Sequence, residues 1–431
     1  MRTTVLEQWI DPLACAHKLN QTTAAMVFLH SSRAYDYSGR YSYLAWDPAH
    51  TIQGSDLGPL HAALDQPHHP TSKHWFGYLG YGIKNQLEHL PHDTASFVNL
   101  PDYWFSQFHS TLLFDHEKQV VTLVGDKDAS HDLFDMTSPT LTSLPSVVAL
   151  HSNMTKSDYL NHVETLQKAI EAGDLYEANL TRKFGGHFVS TPDSFDCFLH
   201  LTKASPSPYS AFIRFDDKTV ISSSPERFLS IDDNGLVNAR PIKGSFPRHA
   251  NPAEDNRLKQ ALFLSDKDRC ENLMIVDLMR NDLSKSCVSG SVQVPALFEV
   301  SSFPHIHHMS STITGQKRED ITSLSLVLGC FPPGSMTGAP KIKAMEWCSN
   351  LEKMSRGIYS GCLGWFSNQD DSCDLSVVIR TIVMQGNRFE FQVGGAIIYD
   401  SVPESEWQET LIKAKGICNA LGITSVEIAK L

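Results

Sequence analysis

The run Lys156–Ala172, KSDYLNHVETLQKAIEA, leads through Gly173-Asp174 into Leu175–Phe184, LYEANLTRKF. In its first part Tyr159, Val163, Leu166 and Ile170 recur at spacings of three and four, the period of a helix with one apolar face. Gly173-Asp174 is a helix stop, and Leu175–Phe184 continues in an extended pattern. Downstream, the same signals predict helices over Ala253–Met279, with Leu258, Leu262, Met274 and Leu278 inward, over Lys341–Leu351 and over Glu404–Leu421. Strands are predicted over Thr219–Ser223, Val292–Pro295, Tyr359–Phe366, Ser376–Met384 and Phe389–Val393. Upstream, short strands fit Ala25–His30, Tyr41–Ala45, Trp75–Leu79, Ser110–Phe114 and Val120–Val124. Clustered strands with scattered helices indicate an α+β layered fold rather than a βαβ array. The polar stretch Gly125–Ser146 suggests a linker, giving a β-rich region 1–125, a linker 126–152 and a catalytic domain 153–431.

The chain has 431 residues, 41% apolar and 19% charged, which suits a large globular enzyme. Its net charge of -12 argues against nucleic acid and anionic membranes as partners. The N-terminal residues lack an apolar core of signal-peptide length, and no stretch reaches the roughly 20 apolar residues of a membrane span. Nine cysteines without CxxC spacing suit a reducing compartment, so a cytoplasmic protein is expected.

Four segments concentrate Gly, Lys, Arg and Glu in apolar surroundings. In Ser222–Phe228 and Arg240–Arg248, Lys243 stands near Arg240 and Arg248 in sequence; cationic neighbours and burial would favour a neutral, nucleophilic amine, while a surface loop lysine is the plain alternative. In Phe331–Lys341, a Gly/Thr loop at a helix start is either an anion site or an ordinary turn. It is not a phosphate-binding P-loop, because Ala339 and Pro340 separate Gly338 from Lys341. Alternation in Ser376–Met384 puts Val378 and Arg380 on one strand face, where an arginine pairs with a carboxylate of protein or ligand. Finally, Glu406, Glu409 and Lys413 share one helix face, suited to a hard divalent cation or to a solvated ion-pair surface.

From about Lys156 onward the sequence resembles the chorismate-utilising enzymes, which include anthranilate, aminodeoxychorismate, isochorismate and salicylate synthases. The matching runs are Gly173–Thr181, Ser223–Phe228, Glu271–Asp282, His308–Ser311, Thr337–Lys341, Ile379–Thr381 and the Glu-rich final helix. Ser38–Tyr43 and Phe76–Tyr81 match more weakly. The resemblance implies two large, mostly antiparallel sheets flanked by helices, with the active site in the cleft between them. Pro241-Ile-Lys243-Gly244 is similar to the aminodeoxychorismate branch, which serves folate and p-aminobenzoate synthesis; the other branches carry Ala at the lysine position. It implies Lys243 as a covalent nucleophile and Glu226 as acid/base. Tyr359, Arg380, Lys413, Gly394, Gly395, Thr337 and His308 would bind chorismate, and Glu271, Glu409 and Glu406 would hold Mg²⁺. Ammonia would come from a separate glutamine amidotransferase subunit in a heterodimer, because Gly361-Cys362-Leu-Gly364 lacks the upstream glycine of a nucleophile elbow. The rivals are an anthranilate synthase component I and a non-catalytic chorismate-binding protein. Two departures stand out. Glu177 falls where ammonia-using members often have Gln and water-using members have Lys, and Ala396 replaces a glycine. The run His305–His308 could suggest zinc, but no Cys or carboxylate has ligand spacing.

Overall fold

A computed structural model describes residues 3–32, 38–65, 73–91, 94–125, 138–303, 306–424, 427–428 and 431. Among them, every strand ladder is antiparallel. One run of neighbours is Glu177–Phe188, Arg388–Ile397, Thr381–Gln385, Lys218–Ser224, Tyr209–Phe215, Met26–His30 and Tyr41–Gly54. A second is Tyr103–Asp115, His74–Leu79, Cys362–Ser367, Cys373–Val377, Arg227–Ile231, Leu236–Arg240 and Ile306–Gln316. Ile242–Pro247 and Gln293–Ser302 close that second run. The two sheets are continuous through the long pair Tyr41–Gly54 and Tyr103–Asp115, whose register shifts between Pro48 and His50. Such a bulge bends a strand and lets one pair serve two sheets.

The cores define the layers. Val27, Ala45, Ile213, Val220 and Val383 from the first sheet meet Phe76, Tyr78, Trp104 and Leu363 from the second in one apolar cluster between them. Outside the first sheet, Phe195, Phe198 and Ile417 pack from helices Ser194–Ala204 and Pro403–Leu421. Outside the second, Leu60, Ile275, Val276 and Val327 pack from helices Leu57–Leu64, Asp266–Ser284 and Ser323–Cys330. The architecture is therefore an α+β sandwich of two antiparallel sheets with helices on both outer faces, as expected.

The opening motif folds as read. Helix Lys156–Glu171 starts at a Thr155/Asp158 capping box, buries Tyr159, Val163, Leu166 and Ala169, and is followed by Gly173 at φ +84°. Other expectations are corrected. Ala253–Met279 is two helices, Pro252–Phe263 and Asp266–Ser284, because Ser265 caps the second through Asp268 N–H. Its buried face carries Glu271, Ile275 and Met279, whereas Met274 and Leu278 are half-buried. Ser376–Met384 is not one strand. The chain leaves the second sheet at Val377, turns through Arg380 at φ +50°, and enters the first sheet at Thr381. Strict alternation therefore does not aim Arg380. Of the expected linker, 126–137 lies outside the described residues, and Val147–Ser152 is a strand on Glu177–Phe188. Residues 1–125 contribute strands to both sheets, Met26–His30 against Tyr209–Phe215 and His74–Leu79 against Cys362–Ser367. No described helix is long and apolar enough to cross a membrane.

Candidate active site

The chain crosses between the sheets twice at one place. Lys218–Ser224 belongs to the first sheet and Arg227–Ile231 to the second, so Glu226 stands at a crossing. Val378–Arg380 is the other crossing, and the two are stitched by Ser223 N–H to Arg380 O (3.1 Å) and Val377 N–H to Glu226 O (3.0 Å). Around them gather Lys243 from strand Ile242–Pro247, Glu177 from the start of Glu177–Phe188, and Glu271 from helix Asp266–Ser284.

Lys243 Nζ donates to Glu177 Oε1 at 2.5 Å. The lysine side chain is only 10% exposed and the glutamate is fully enclosed. Here the structure corrects the sequence reading. Arg240 is drawn away to Glu299 at 2.6 Å, and Arg248 to Asp255 at 2.8 Å. The groups that surround Lys243 are acids. Burial pushes the ammonium down, but Glu177, Glu271 and Glu226 outweigh it and hold it above the ordinary lysine value. The resting lysine is a buried cation, not a neutral amine.

Glu226 is buried and accepts from Ser335 Oγ at 2.7 Å. Desolvation lifts its carboxyl to about 7, opposed by Ser335, Lys243 and Lys413. Glu271 is likewise lifted to about 7 by burial, against the pull of Lys243. Acids poised near neutrality are what proton transfer at pH 7 requires.

On helix Pro403–Leu421, Glu406 is buried and raised by desolvation and by Glu409. Its Oε1 accepts from Ser401 (2.8 Å), and its Oε2 has no hydrogen-bond partner. Glu409 pairs with Lys413 at 2.6 Å; burial opposes its ionisation, but the Lys413 ammonium holds it below the usual carboxylate value. Lys413 also donates to Gly394 O at 2.8 Å. Lys267 reaches both Glu271 (3.9 Å) and Glu406 (4.0 Å). A Cβ on Gly394 would lie 2.6 Å from Thr181 Cγ2 and 2.7 Å from Leu180 O, so close packing demands glycine there. Gly395 faces Glu406, whose Oε2 would lie 3.3 Å from an added Cβ. Ala396 lies in extended strand opposite Asn179 and carries no positive φ, so its departure from glycine is unstrained.

At the other end, His308 Nδ1 and Ser245 Oγ are 2.5 Å apart. Burial and Arg380 push the imidazole down to about 3, so it is neutral. Arg380 donates to Ser205 Oγ at 3.3 Å. Tyr359 is buried, its phenol raised by desolvation. Thr337 is buried with its hydroxyl on Gly334 O at 3.3 Å, turned into its own loop.

Sequence reasoning passed over Ser335 and Lys267, which no spacing singled out. Lys341 was read only as the end of the Gly/Thr loop, and the structure gives it a clamping role. Its ammonium pairs with Asp282 (2.7 Å) and donates to Cys330 O (2.6 Å) and Pro332 O (2.9 Å), clamping the loop that presents Ser335. A Lys341→Met substitution is expected to cost about 2 kcal/mol of stability, because buried Asp282 keeps only the exposed Lys285 at 3.1 Å and the carbonyls of Cys330 and Pro332 lose their donor. Urea unfolding checks this; an unchanged midpoint would make the lysine free for an anion instead.

Residues 27–419 match the family model described as chorismate binding enzyme. The chain belongs to that family. Aminodeoxychorismate synthase component 1 of Salmonella typhimurium is 38% identical over 379 residues, covering 87% of this chain and 82% of the relative. The chloroplastic aminodeoxychorismate synthase of Arabidopsis thaliana is 41% identical over 314 residues, covering 72% of this chain but 34% of that longer protein. The crystal structure of anthranilate synthase component I from Streptococcus pneumoniae superposes with a TM-score of 0.78 at 27% identity, covering 89% and 93% of the two chains.

Proposed function

We propose that this chain is the chorismate-aminating subunit of an aminodeoxychorismate synthase, converting chorismate and ammonia to 4-amino-4-deoxychorismate and water on the route to p-aminobenzoate and folate. The observation that carries the reading is Lys243, enclosed with Glu177, Glu226 and Glu271 in a chain similar to proteins named for that reaction. Lys243 Nζ forms a bond to ring C2 while the ring double bonds shift and the C4–O bond breaks. Glu226, protonated near neutrality, gives its proton to the departing hydroxyl, which leaves as water. Ammonia then bonds to C4 and the C2–N bond breaks, its electron pair returning to Lys243. The new C4 ammonium yields a proton to Glu226, so atoms and charge balance and the enolpyruvyl group is kept.

Lys413, Arg380 and Tyr359 are assigned to the substrate carboxylates, with Gly394 and Gly395 allowing close backbone approach and neutral His308 beside the ring. Thr337 is assigned to shaping the loop that carries Ser335. Mg²⁺ fits the acidic end. Among the described residues no three metal-ligating side chains form a ready cluster. Glu271 and Glu406 are nonetheless desolvated, and the bare Glu406 Oε2 lacks a cation or donor. Glu271 and Glu406, with Glu409 released from Lys413, would hold the ion, which would neutralise a substrate carboxylate. Ammonia is assigned to a separate glutamine amidotransferase; the "component 1" in the Salmonella relative's name supports a second component. The nine cysteines are all free thiols, consistent with work in the cytoplasm.

Incubating the purified chain with chorismate, Mg²⁺ and ammonium is expected to give 4-amino-4-deoxychorismate by chromatography and mass spectrometry. Anthranilate or isochorismate as the main product would assign another branch.

A further inference from the structure

The proposed reaction starts from an amine, yet the resting Lys243 is an ammonium, and the steps above give its proton no destination. Glu177 is the group in contact with it, at 2.5 Å. Glu177 is completely buried, and its second oxygen, Oε2, has no partner. Its backbone is packed against Gly338, where an added Cβ would lie 2.2 Å from Glu177 O, which fixes the point from which the side chain reaches the lysine. A buried ion pair that served stability alone would have both carboxylate oxygens satisfied and few like charges nearby. Here one oxygen is bare, and Glu226 and Glu271 act on the same ammonium.

Resting on the reading above, we propose that Glu177 is the base that takes the Lys243 proton before attack and returns it when the lysine is expelled. The Nζ–H pair moves to nitrogen as the proton passes to Glu177, giving a neutral amine and a neutral carboxylic acid. The amine bonds to C2 as its lone pair is donated. When ammonia has added at C4 and the C2–N bond breaks, Lys243 recovers its pair and takes the proton back. Glu177 is thus a catalytic residue touching the reacting nitrogen, and it is distinct from Glu226, which serves the leaving oxygen. The other charged groups facing the pair are Glu226, Glu271 and Glu409; Lys413 acts on Glu226 and Glu409, and Lys267 on Glu271 and Glu409.

The test is the rate of Lys243 adduct formation from chorismate and Mg²⁺ without ammonium, followed by rapid-quench intact-protein mass spectrometry across pH. In the wild-type chain the proton stays within the pair, so the profile is shaped by Glu226 alone and falls as pH rises through about 7. In Glu177→Gln the proton must go to solvent, so the rate at neutral pH is expected to fall about 100-fold. Relative to wild type at the same pH, it should then climb about tenfold per pH unit until the amine is free. Glu177→Asp is expected to recover much of the rate with the wild-type profile, and all three chains should bind chorismate with similar Kd. A Glu177→Gln chain with the wild-type rate, or one slowed equally at every pH, overturns the assignment of Glu177 alone. A wild-type chain that forms product without any adduct overturns it together with the covalent reading.

Discussion

Replacing Lys243 by alanine is expected to abolish amination of chorismate, with a loss in kcat of at least about 10³-fold. The nitrogen of Lys243 is held by Glu177 among acids that a small residue cannot recruit. Alanine removes the nucleophile and leaves Glu177, Glu226 and Glu271 facing one another. Without the ammonium, burial keeps Glu226 and Glu271 more fully protonated. Chorismate binding should survive, because the groups assigned to its carboxylates lie on helix Pro403–Leu421, at the Arg380 crossing and, for Tyr359, in the turn before strand Cys362–Ser367. The split between a lost kcat and a retained Kd, measured by turnover and by equilibrium titration, separates loss of chemistry from loss of fold. A variant with wild-type kcat would remove the covalent step.

Glu226→Gln carries the second large effect. Glutamine keeps the shape and can still accept from Ser335, but it has no acidic proton to give. A loss of about 10²- to 10⁴-fold in kcat is expected. The wild-type rate should decline as pH rises through about 7, where the acid form of Glu226 is lost, and the variant should lack that limb. Stability follows the same group with a definite sign. Its folded value of about 7 exceeds the reference 4.5, so the stability from burying the protonated acid is complete below about pH 4.5 and is lost as pH rises through 7. The variant should gain on the wild type across that window, by roughly 3 kcal/mol at its upper end. Thermal unfolding at several pH values reads this. A difference that does not grow with pH would contradict the buried-acid reading.

The layered fold was legible wherever local period and tertiary burial agree. Helix Lys156–Glu171 follows its apolar stripe and its capping box because both act within a few residues. Other helices were passed over. Leu57–Leu64 contains Gly58-Pro59, which reads as a turn. Ser194–Ala204 buries Phe195, Cys197, Phe198, Leu199 and Leu201 and turns Asp196, His200 and Lys203 outward at spacings of four and three, a helical period that was there to be read. The break in Ser376–Met384 was hidden because both halves are apolar strands; what divides them is that they serve different sheets.

The site divides in a similar way. The residue types at 243, 406, 409 and 413 pointed to amine and cation chemistry, the family resemblance added the acids 226 and 271, and the structure gathers them. The sign of the surroundings of Lys243 was misread, since the nearest charges in sequence are arginines. Those arginines are occupied by Glu299 and Asp255, and the acids that reach the lysine come from three distant segments. Electrostatics at a buried group is set by neighbours in space, and only the sheet crossings reveal which these are.

The most direct measurement is to quench the wild-type chain with chorismate and Mg²⁺ in the absence of ammonium and map the modified peptide by mass spectrometry. One added mass, that of chorismate less water, is expected on Lys243, discharged as 4-amino-4-deoxychorismate when ammonium is supplied. Product formation with Lys243 unmodified at every time point would contradict the covalent step.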